Sequence, residues 1–343
     1  MRILAFESSC DETAAAVLER KDGKLTVLSN IVASQIAIHA KFGGVVPEIA
    51  SRAHSEAISG ITYEALETAK CTMDDIDAIA VTNCPGLIGA LLTGLSFAKG
   101  LAYSAKKPLI PVHHIRGHVA ANYLAFPELK PPFNALVVSG GHTSILGVDS
   151  YTDYRTIGYT RDDAAGEALD KAARVLGMPY PGGAAMDKMA LEGDKTKIKF
   201  SVSHVDGAPY DFSFSGLKTS VINHVHTLEM KNIELSDDVK KDIAASFMSA
   251  LVKTVTTRIE VLLENEKRPL VLAGGVAASK NLRMGLEEIC KKYGVELYLP
   301  PLKYCGDNAA MIGAQAYYEY QNGNVADLDL NAFATAAADK LPK

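Results

Sequence analysis

The alternation of apolar and polar residues predicts two similar sets of strands. The first set comprises residues 2–7 (RILAFE), 14–19 (AAAVLE) and 25–32 (LTVLSNIV). The second set comprises residues 134–138, 144–148 and 154–158. Short apolar runs separated by polar turns are typical of antiparallel meanders. Each set is followed by alternating helix and strand patterns, so the sequence predicts a duplicated α/β domain with a cleft between its halves.

Apolar residues at helical spacing predict the helices that follow each meander. Ile49, Ala53, Ala57 and Ile61 indicate a helix from Pro47 to about residue 70. Further helices are predicted near 86–104, 162–176, 238–265, 280–293 and 307–320, with strands at 76–82, 269–273 and 295–299. The segment PLIPVHH leads from another strand into a helix that carries His118.

A proline-rich segment at Pro127, Pro131 and Pro132 marks the predicted domain boundary. We expect a first lobe of residues 1–130, joined by about 307–343 through the last helix, and a second lobe of residues 131–306. The Ala-rich tail after Asn322 is expected to be loosely held.

Composition narrows the class of protein. A chain of 343 residues with 48% hydrophobic residues can form ordinary cores. The net charge of −5 excludes a global basic field, so a polyanion would need a local patch or a partner. Five cysteines without a CxxC pair favour reduced thiols. No apolar run reaches the roughly 18 residues of a membrane span, and we expect a cytoplasmic protein.

The most specific chemical pattern is a pair of histidines, His114 and His118, in VHHIRGH. Four residues make about one helical turn, so both imidazoles would project from one face. Together with Asp307 of CGDN they can hold a divalent metal and leave positions open for substrate. The alternative is a polar helix face. Zinc peptidases need Glu directly after the first His, where this chain has Ile115, so peptidase chemistry is disfavoured.

Two glycine pairs favour binding of phosphate and nucleoside. Gly140 and Gly141 in VVSGGHTS lie in a predicted hairpin turn, where backbone N–H groups can approach an anion. Gly274 and Gly275 in LVLAGGVAAS follow a buried strand and precede a helix, which is where nucleotides bind on open α/β sheets. Either pair alone is compatible with an ordinary turn.

The acidic turn SSCDET places Asp11 and Glu12 side by side. Adjacent acids in a turn are usually a solvated corner, but these could also orient a metal, a water molecule or an attacking amine. Asp187 lies one turn inside a predicted helix after YPGG, where its carboxylate could bind a ligand hydroxyl or could face solvent.

Taken in order, these segments resemble the TsaD (Gcp/YgjD) family of tRNA N6-adenosine threonylcarbamoyltransferases. The matching motifs span about residues 3–315: ESSCDETAAAV, KFGGVVPEIASRAH, NCPGLIGALLTG, VHHIRGH, VVSGGHTS, DDAAGEALDKAARVLGMPYPGG, DFSFSGLKT, AGGVAAS and CGDNAAMIG. The resemblance implies an ASKHA fold, the duplicated two-domain architecture of actin, sugar kinases and Hsp70-type chaperones.

The resemblance also implies roles for particular residues. The metal ligands would be His114, His118 and Asp307, with one Fe²⁺ or Zn²⁺ per subunit. Asp11 and Glu12 match the family's acidic turn, and either one could be the catalytic base. Substrate contacts would fall on Val137, Val138, Ser139, Gly140, Gly141, Asp170, Gly183, Asp187 and Ser279.

Two positions depart from the usual family pattern. Ser279 stands where the family usually has Asn, and it offers a hydroxyl in place of an amide. Val137 stands where archaeal and eukaryotic relatives have a Tyr metal ligand, which indicates the bacterial branch.

The implied reaction transfers threonylcarbamoyl from threonylcarbamoyl-AMP to N6 of the adenosine 3′ of the anticodon, in tRNAs reading codons that start with A. The implied partners are tRNA, a TsaB-like paralogue in a heterodimer, a TsaE-like ATPase and a TsaC/Sua5-type enzyme that supplies the adenylate. Two other classes remain open: an ASKHA small-molecule kinase, which has no need of the histidine pair, and a non-catalytic actin-like partner subunit.

Overall fold

The computed structural model of the chain describes residues 1–342 and divides into two compact units. The first unit comprises Met1–Pro132, Val148–Arg155 and the described chain from Pro300 onward. The second comprises Phe133–Gly147 and Thr156–Leu299. This division assigns the short segment 148–155 to the first unit, which the sequence pattern does not indicate. The predicted boundaries of the two lobes, at residues 130–131 and 306–307, stay a prediction.

Within residues 1–342, ten strands and ten α-helices form the two units. The strands are β1 (Arg2–Glu7), β2 (Glu12–Lys21), β3 (Lys24–Ser34), β4 (Ala78–Cys84), β5 (Leu109–His113), β6 (Phe133–Val138), β7 (Thr143–Val148), β8 (Tyr154–Tyr159), β9 (Leu270–Ala273) and β10 (Leu297–Tyr298). The helices are α1 (Ile36–His39), α2 (Pro47–Ala69), α3 (Ile88–Ala105), α4 (His114–Ala125), α5 (Ala165–Val175), α6 (Gly183–Ala190), α7 (Ser215–Met230), α8 (Asp237–Asn265), α9 (Lys280–Tyr293) and α10 (Ala309–Gln321).

The first unit is built on a five-stranded sheet of order β3-β2-β1-β4-β5. The first three strands form the predicted antiparallel meander, whereas β4 and β5 run parallel to β1. Asp22 and Gly23 both have positive φ, as a two-residue hairpin turn with the native strand twist requires. Helices α2 and α3 pack against each other and so do α4 and α10, while α2, α3 and α10 contact the sheet. Strands β1 and β4 are therefore buried almost throughout.

The second unit repeats this strand order. Its sheet reads β10-β9-β6-β7-β8, so that the fourth strand of the repeat again lies beside the first and the fifth beside the fourth. Strands β9 and β10 run parallel to β6, as β4 and β5 do to β1. The predicted duplication of an α/β domain is confirmed by this shared order.

Glycine is required at Gly274, directly after β9. Its φ is +94°, and a Cβ atom there would lie 2.4 Å from the carbonyl oxygen of Val138 at the end of β6. An L side chain would be strained by the backbone and would clash with it. The pair Gly274-Gly275 therefore allows close approach of two strand ends.

The expectation of a loosely held tail is wrong. Phe333 donates its N–H to the carbonyl of Asn83 at 2.9 Å, and Gly86 donates to the carbonyl of Ala334 at 3.1 Å. The Nε atom of Arg116 donates to the carbonyl of Ala338 at 2.8 Å. These bonds attach the tail to the end of β4 and to α4, a role that alanine-rich composition does not reveal because backbone groups provide it.

Two further observations concern the whole described chain. Across residues 1–342, each helix is too short or too polar to cross a bilayer. The five cysteines form no disulfide bond.

Candidate active site

The two histidines lie where a strand passes directly into a helix. Strand β5 ends at His113 and α4 begins at His114, so the first turn of the helix starts at the carboxyl end of the strand. The Nδ1 atom of His113 accepts the N–H of Ile115 at 3.2 Å and caps this helix. The rings of His114 and His118 stand edge to face with their centroids 4.6 Å apart. The predicted placement on one helical face is confirmed.

Asp307, which precedes α10, brings a carboxylate to the two imidazoles. Its Oδ1 atom lies 3.7 Å from Nε2 of His114 and 3.1 Å from Nε2 of His118. Donors about 2.1 Å from a common metal at a tetrahedral angle lie about 3.4 Å apart, so these separations suit a shared cation. The ligand atoms of all three residues lie within 4.8 Å of one another. The structure therefore brings together the three residues predicted as metal ligands.

His118 gives independent support for a cation at this position. The residue is 1% exposed, and neither ring nitrogen has a hydrogen-bond partner among residues 1–342. Its Nε2 atom lies 3.1 Å from Oδ1 of Asp307, but this contact does not have the geometry of a hydrogen bond. Because unsatisfied buried nitrogens are costly, their presence beside a carboxylate fits a site that binds a metal ion.

A buried glutamate that the sequence analysis did not select lies behind His114. Oε2 of Glu7 is 3.0 Å from Nδ1 of His114 and accepts the hydroxyl of Thr82 at 2.6 Å. Burial opposes the charge on Glu7, but the charge of His114 and the hydrogen bond to it lower the pKa of Glu7. Burial likewise opposes the charged form of His114, but the carboxylates of Glu7 and Asp307 raise its pKa to about 9. The local field thus favours positive charge at this site.

One feature of the sequence could have identified Glu7 as a buried, partnered residue. RILAFE reads as a buried strand, and a charged residue at the end of such a strand needs a partner. The identity of the partner was not available from sequence spacing, since His114 is distant in the chain.

The acidic turn lies in the same unit. Burial, and next the charge of Asp307, raise the pKa of Asp11. Glu12 accepts the hydroxyl of Ser34 at 2.9 Å through Oε1, while its Oε2 is buried without a hydrogen-bond partner in the described chain. Burial is the main cause that raises the pKa of Glu12 to about 7, with Asp11 and Asp307 adding to it. These acids are therefore not the solvated corner that the sequence allowed.

His54, the last residue of KFGGVVPEIASRAH, and Gln35, which follows β3, hold the acidic turn in place. His54 on α2 is fully buried, with Nε2 2.9 Å from the carbonyl of Cys10 and Nδ1 2.7 Å from the hydroxyl of Thr13. Gln35 donates its N–H to the carbonyl of Asp11 at 3.0 Å. The bonds to Cys10 and Thr13 flank the two acids on either side. The sequence pattern alone does not indicate this role for the motif.

The predicted substrate loop lies in the second unit at the β6–β7 turn. Val137 and Val138 are fully buried on β6, backbone included. Ser139 donates its N–H to the carbonyl of His142 at 2.8 Å, which uses that donor inside the turn. Gly140 and Gly141 are exposed, and the space beside their Cα atoms is open. The predicted anion contact therefore depends on these two glycines.

The other predicted substrate contacts bind one another. Gly183 donates its N–H to Asp170 at 2.9 Å. Asp187 accepts the hydroxyl of Ser279 at 2.5 Å and the side-chain amide of Asn281 at 2.9 Å. Their roles toward a substrate stay a prediction.

Asp187 also occupies the start of α9. It accepts the backbone N–H of Lys280 at 2.9 Å, and the Ser279 hydroxyl accepts that of Leu282 at 3.1 Å. The carboxylate of Asp187 thus occupies the N-terminus of α9, where the glycine pattern predicted a bound phosphate. Asn281 provides the amide that Ser279 lacks, two residues further along the chain.

Solved structures of low sequence identity share this fold. HypF of T. kodakarensis aligns with a TM-score of 0.63 at 15% identity, over 96% of this chain and 49% of that one. Component A of the Acidaminococcus fermentans (R)-2-hydroxyglutaryl-CoA dehydratase aligns with a TM-score of 0.57 at 16% identity, over 94% and 99% of the two chains. These similarities support the predicted ASKHA-type α/β fold.

Closer relatives identify the family. A sequence model of the TsaD family, described as tRNA N6-adenosine threonylcarbamoyltransferase, matches residues 26–314. A protein of that name from Clostridium botulinum is 52% identical over 333 residues, 97% of this chain and 96% of its own. One from Clostridium perfringens is 53% identical over 331 residues, 96% of each chain. The histidine pair, the remote aspartate and the glycine turns lie in the motifs by which the sequence resembles this family. The chain therefore belongs to the TsaD family of tRNA N6-adenosine threonylcarbamoyltransferases.

Proposed function

We propose that this enzyme transfers a threonylcarbamoyl group from threonylcarbamoyl-AMP to N6 of the adenosine 3′ of the anticodon, in tRNAs reading codons that start with A. Family membership over nearly the whole chain supports the reaction class. The single structural observation that supports it best is the convergence of His114, His118 and Asp307. A small-molecule kinase has no need of this cluster, and the relatives reported above bear the transferase name.

The three converging residues would hold one divalent ion, Fe²⁺ or Zn²⁺. Two imidazoles and a carboxylate suit either metal and leave coordination positions open. When bound, such an ion supplies a Lewis acid and a template for the acyl donor. The protein's contribution is to hold two Nε2 atoms and one Oδ1 atom around one point, at the separations found here.

The acidic turn would accept the proton of the attacking amine. In the transfer, N6 of adenosine bonds to the carbamoyl carbon, the bond from that carbon to the phosphate oxygen breaks, and AMP leaves as an anion. The proton lost from N6 passes to a carboxylate of the turn. Glu12 suits this role because a base with a pKa of about 7 is half ionised near neutral pH and still basic enough to accept a proton.

The exposed glycine turn would bind the adenylate phosphate. Gly140 and Gly141 present backbone N–H groups without side chains in the way. Donors fixed before the reaction stabilise the departing anion without further reorganisation. Asp170, Gly183, Asp187 and Ser279 would then orient the nucleoside, with Asn281 as an additional amide.

We also propose the partners that the family resemblance implies. They are tRNA, a TsaB-like paralogue, a TsaE-like ATPase and a TsaC/Sua5-type enzyme that makes the adenylate. The net charge of −5 supports a need for help in tRNA binding, since the chain has no overall basic field.

Mass spectrometry of tRNA nucleosides tests the proposed function. The chain is incubated with tRNA, threonylcarbamoyl-AMP and the candidate partners, and modified adenosine is measured. His114→Ala and His118→Ala should abolish modification, whereas His204→Ala, at a histidine with 76% of its side chain exposed, should not. Full activity of both cluster variants would reject the role of the cluster. A phosphorylated small molecule formed from ATP, without change to tRNA, would favour the kinase.

A further inference from the structure

We propose that Glu7 is a positioning residue that fixes the ring of His114 so that its Nε2 lone pair points toward Asp307, and that tight binding of the metal depends on it. This inference rests on the metal centre proposed above and extends it to a residue outside the ligand set. Three observations support it: the contacts that hold Glu7, the tautomer of His114 that they require, and the difference between His114, which has a carboxylate partner at Nδ1, and His118, which has none within residues 1–342.

The Glu7 carboxylate is held in one orientation. The residue is 1% exposed and lies at the end of β1, beside β4. Oε1 accepts the N–H of Ser9 at 2.5 Å, and Oε2 accepts the hydroxyl of Thr82 at 2.6 Å. Because both oxygens are bound by donors from the sheet and the following turn, the carboxylate cannot rotate without losing a buried hydrogen bond.

This orientation imposes one tautomer on His114. An ionised carboxylate only accepts hydrogen bonds, so the 3.0 Å contact between its Oε2 and Nδ1 requires a proton on Nδ1. The hydroxyl of Ser9 lies 3.1 Å from the same nitrogen and can share that proton only as a second acceptor. The neutral ring therefore presents its lone pair at Nε2, the atom that lies 3.7 Å from Asp307. Carboxylates that orient metal-binding histidines in this way also increase the basicity of the ring.

His118 lacks such a partner. Neither of its nitrogens is hydrogen-bonded within residues 1–342, so no carboxylate fixes its tautomer from behind. Only one of the two imidazoles is thus positioned through a hydrogen bond. Loss of Glu7 should therefore act through His114 and reduce binding without removing a ligand.

Competition with a chromophoric chelator for Zn²⁺ tests the inference on the full chain. Glu7→Gln keeps the shape but turns one acceptor into a donor, which faces the N–H of Ser9 or the hydroxyl of Thr82. Zn²⁺ affinity should fall by about 10- to 100-fold, the usual effect of losing such a partner. Thr82→Val removes one bond to Glu7 and should give a smaller loss in the same direction. It also serves if Glu7→Gln does not fold.

Asp211→Asn is the matched control. It also alters a buried carboxylate, 5% exposed, but in the second unit, where it binds Arg161. Its Zn²⁺ affinity should equal that of the unaltered chain. Equal affinity of Glu7→Gln, Thr82→Val and the unaltered protein would overturn the inference. Absence of Zn²⁺ binding by the unaltered protein, or binding unchanged by His114→Ala, would instead overturn the metal centre itself and the inference with it.

A spectroscopic readout separates positioning from general destabilisation. In Zn²⁺-loaded protein labelled with ¹⁵N-histidine, NMR should show His114 with a proton on Nδ1 and the metal on Nε2. The Thr82→Val variant should weaken the Nδ1 hydrogen bond and shift that resonance, while Asp211→Asn leaves it in place. A proton on Nε2 with the metal on Nδ1 would contradict the orientation.

Discussion

At the scale of residues, three of the buried histidines, His54, His114 and His118, fall into two kinds. His114 and His118 meet a carboxylate, and the nitrogens of His118 have no hydrogen-bond partner among the described residues. His54 instead uses both nitrogens inside the protein, against Cys10 and Thr13. Burial lowers the pKa of His54, so that the ring is neutral in the folded state. The first kind fits a cation, and the second holds the acidic turn.

The depressed pKa of His54 predicts a loss of stability in acid. The unfolded chain binds a proton at His54 below about pH 6.5, whereas the folded chain does so only at lower pH. The contribution of His54 to stability is therefore complete above about pH 6.5 and is lost as the pH falls toward the folded pKa. Urea unfolding of His54→Asn should show a flatter pH dependence from about pH 7.5 to 5.5 than that of the unaltered chain. Equal slopes would contradict the buried neutral ring.

The raised pKa of Glu12 predicts how the rate of transfer depends on pH. A base must be ionised, and the pKa of Glu12 is raised to about 7, so the rate should fall as the pH drops below about 7. Glu12→Gln should lower kcat by about 10²- to 10⁴-fold and remove this limb of the pH profile. Glu19→Gln, on the same strand but paired with Arg2 away from the turn, should leave both unchanged. A limb that persists in Glu12→Gln would assign it to another group.

Sequence predicted the site residues unevenly. The pair His114 and His118 is readable because helical spacing alone places them together. Glu7 and Thr82 lie on adjacent strands, and their contact depends on the register of β1 against β4. That register is tertiary information, so these residues were not found.

At the scale of elements, hydrophobic periodicity predicted most strands and long helices. The four-residue helix Ile36–His39 was missed because it is too short for a periodic pattern. Strands β2 and β3 extend beyond their apolar cores, since the hairpin turn at Asp22 and Gly23 continues their pairing into polar residues. The tail after α10 was misjudged because it is attached by backbone hydrogen bonds, which leave no trace in the side-chain pattern, and by a few apolar residues such as Leu330.

Removal of the tail should destabilise the first unit. Deletion of residues 333–343 removes the partners of the Gly86 N–H and the Arg116 Nε–H. A typical hydrogen bond contributes about 0.5–1.5 kcal/mol and one to a charged group about 1.5–3 kcal/mol, so the free energy of unfolding should fall by about 2–4 kcal/mol. Chemical denaturation measures this, with Thr335→Ala, at an exposed position of the same tail, as the control. An unchanged midpoint would mean that the tail is dispensable.

At the scale of the whole molecule, two copies of one strand order carry different chemistry. The first unit holds the His114, His118 and Asp307 cluster with the acidic turn. The second holds the glycine turn and the Asp187 network at the start of α9. Duplication was predictable from the repeated meander, because both copies share one apolar pattern. The division of roles was not, since it depends on a few polar residues at strand ends.

Anomalous diffraction from crystals grown with Zn²⁺ or Fe²⁺ tests the central claim most directly. At the absorption edge of the metal, a single strong peak should lie between Nε2 of His114, Nε2 of His118 and a carboxylate oxygen of Asp307, about 2.0–2.2 Å from each. An ordered site with water in place of that peak, or a metal bound elsewhere while the three side chains stay apart, would contradict the account.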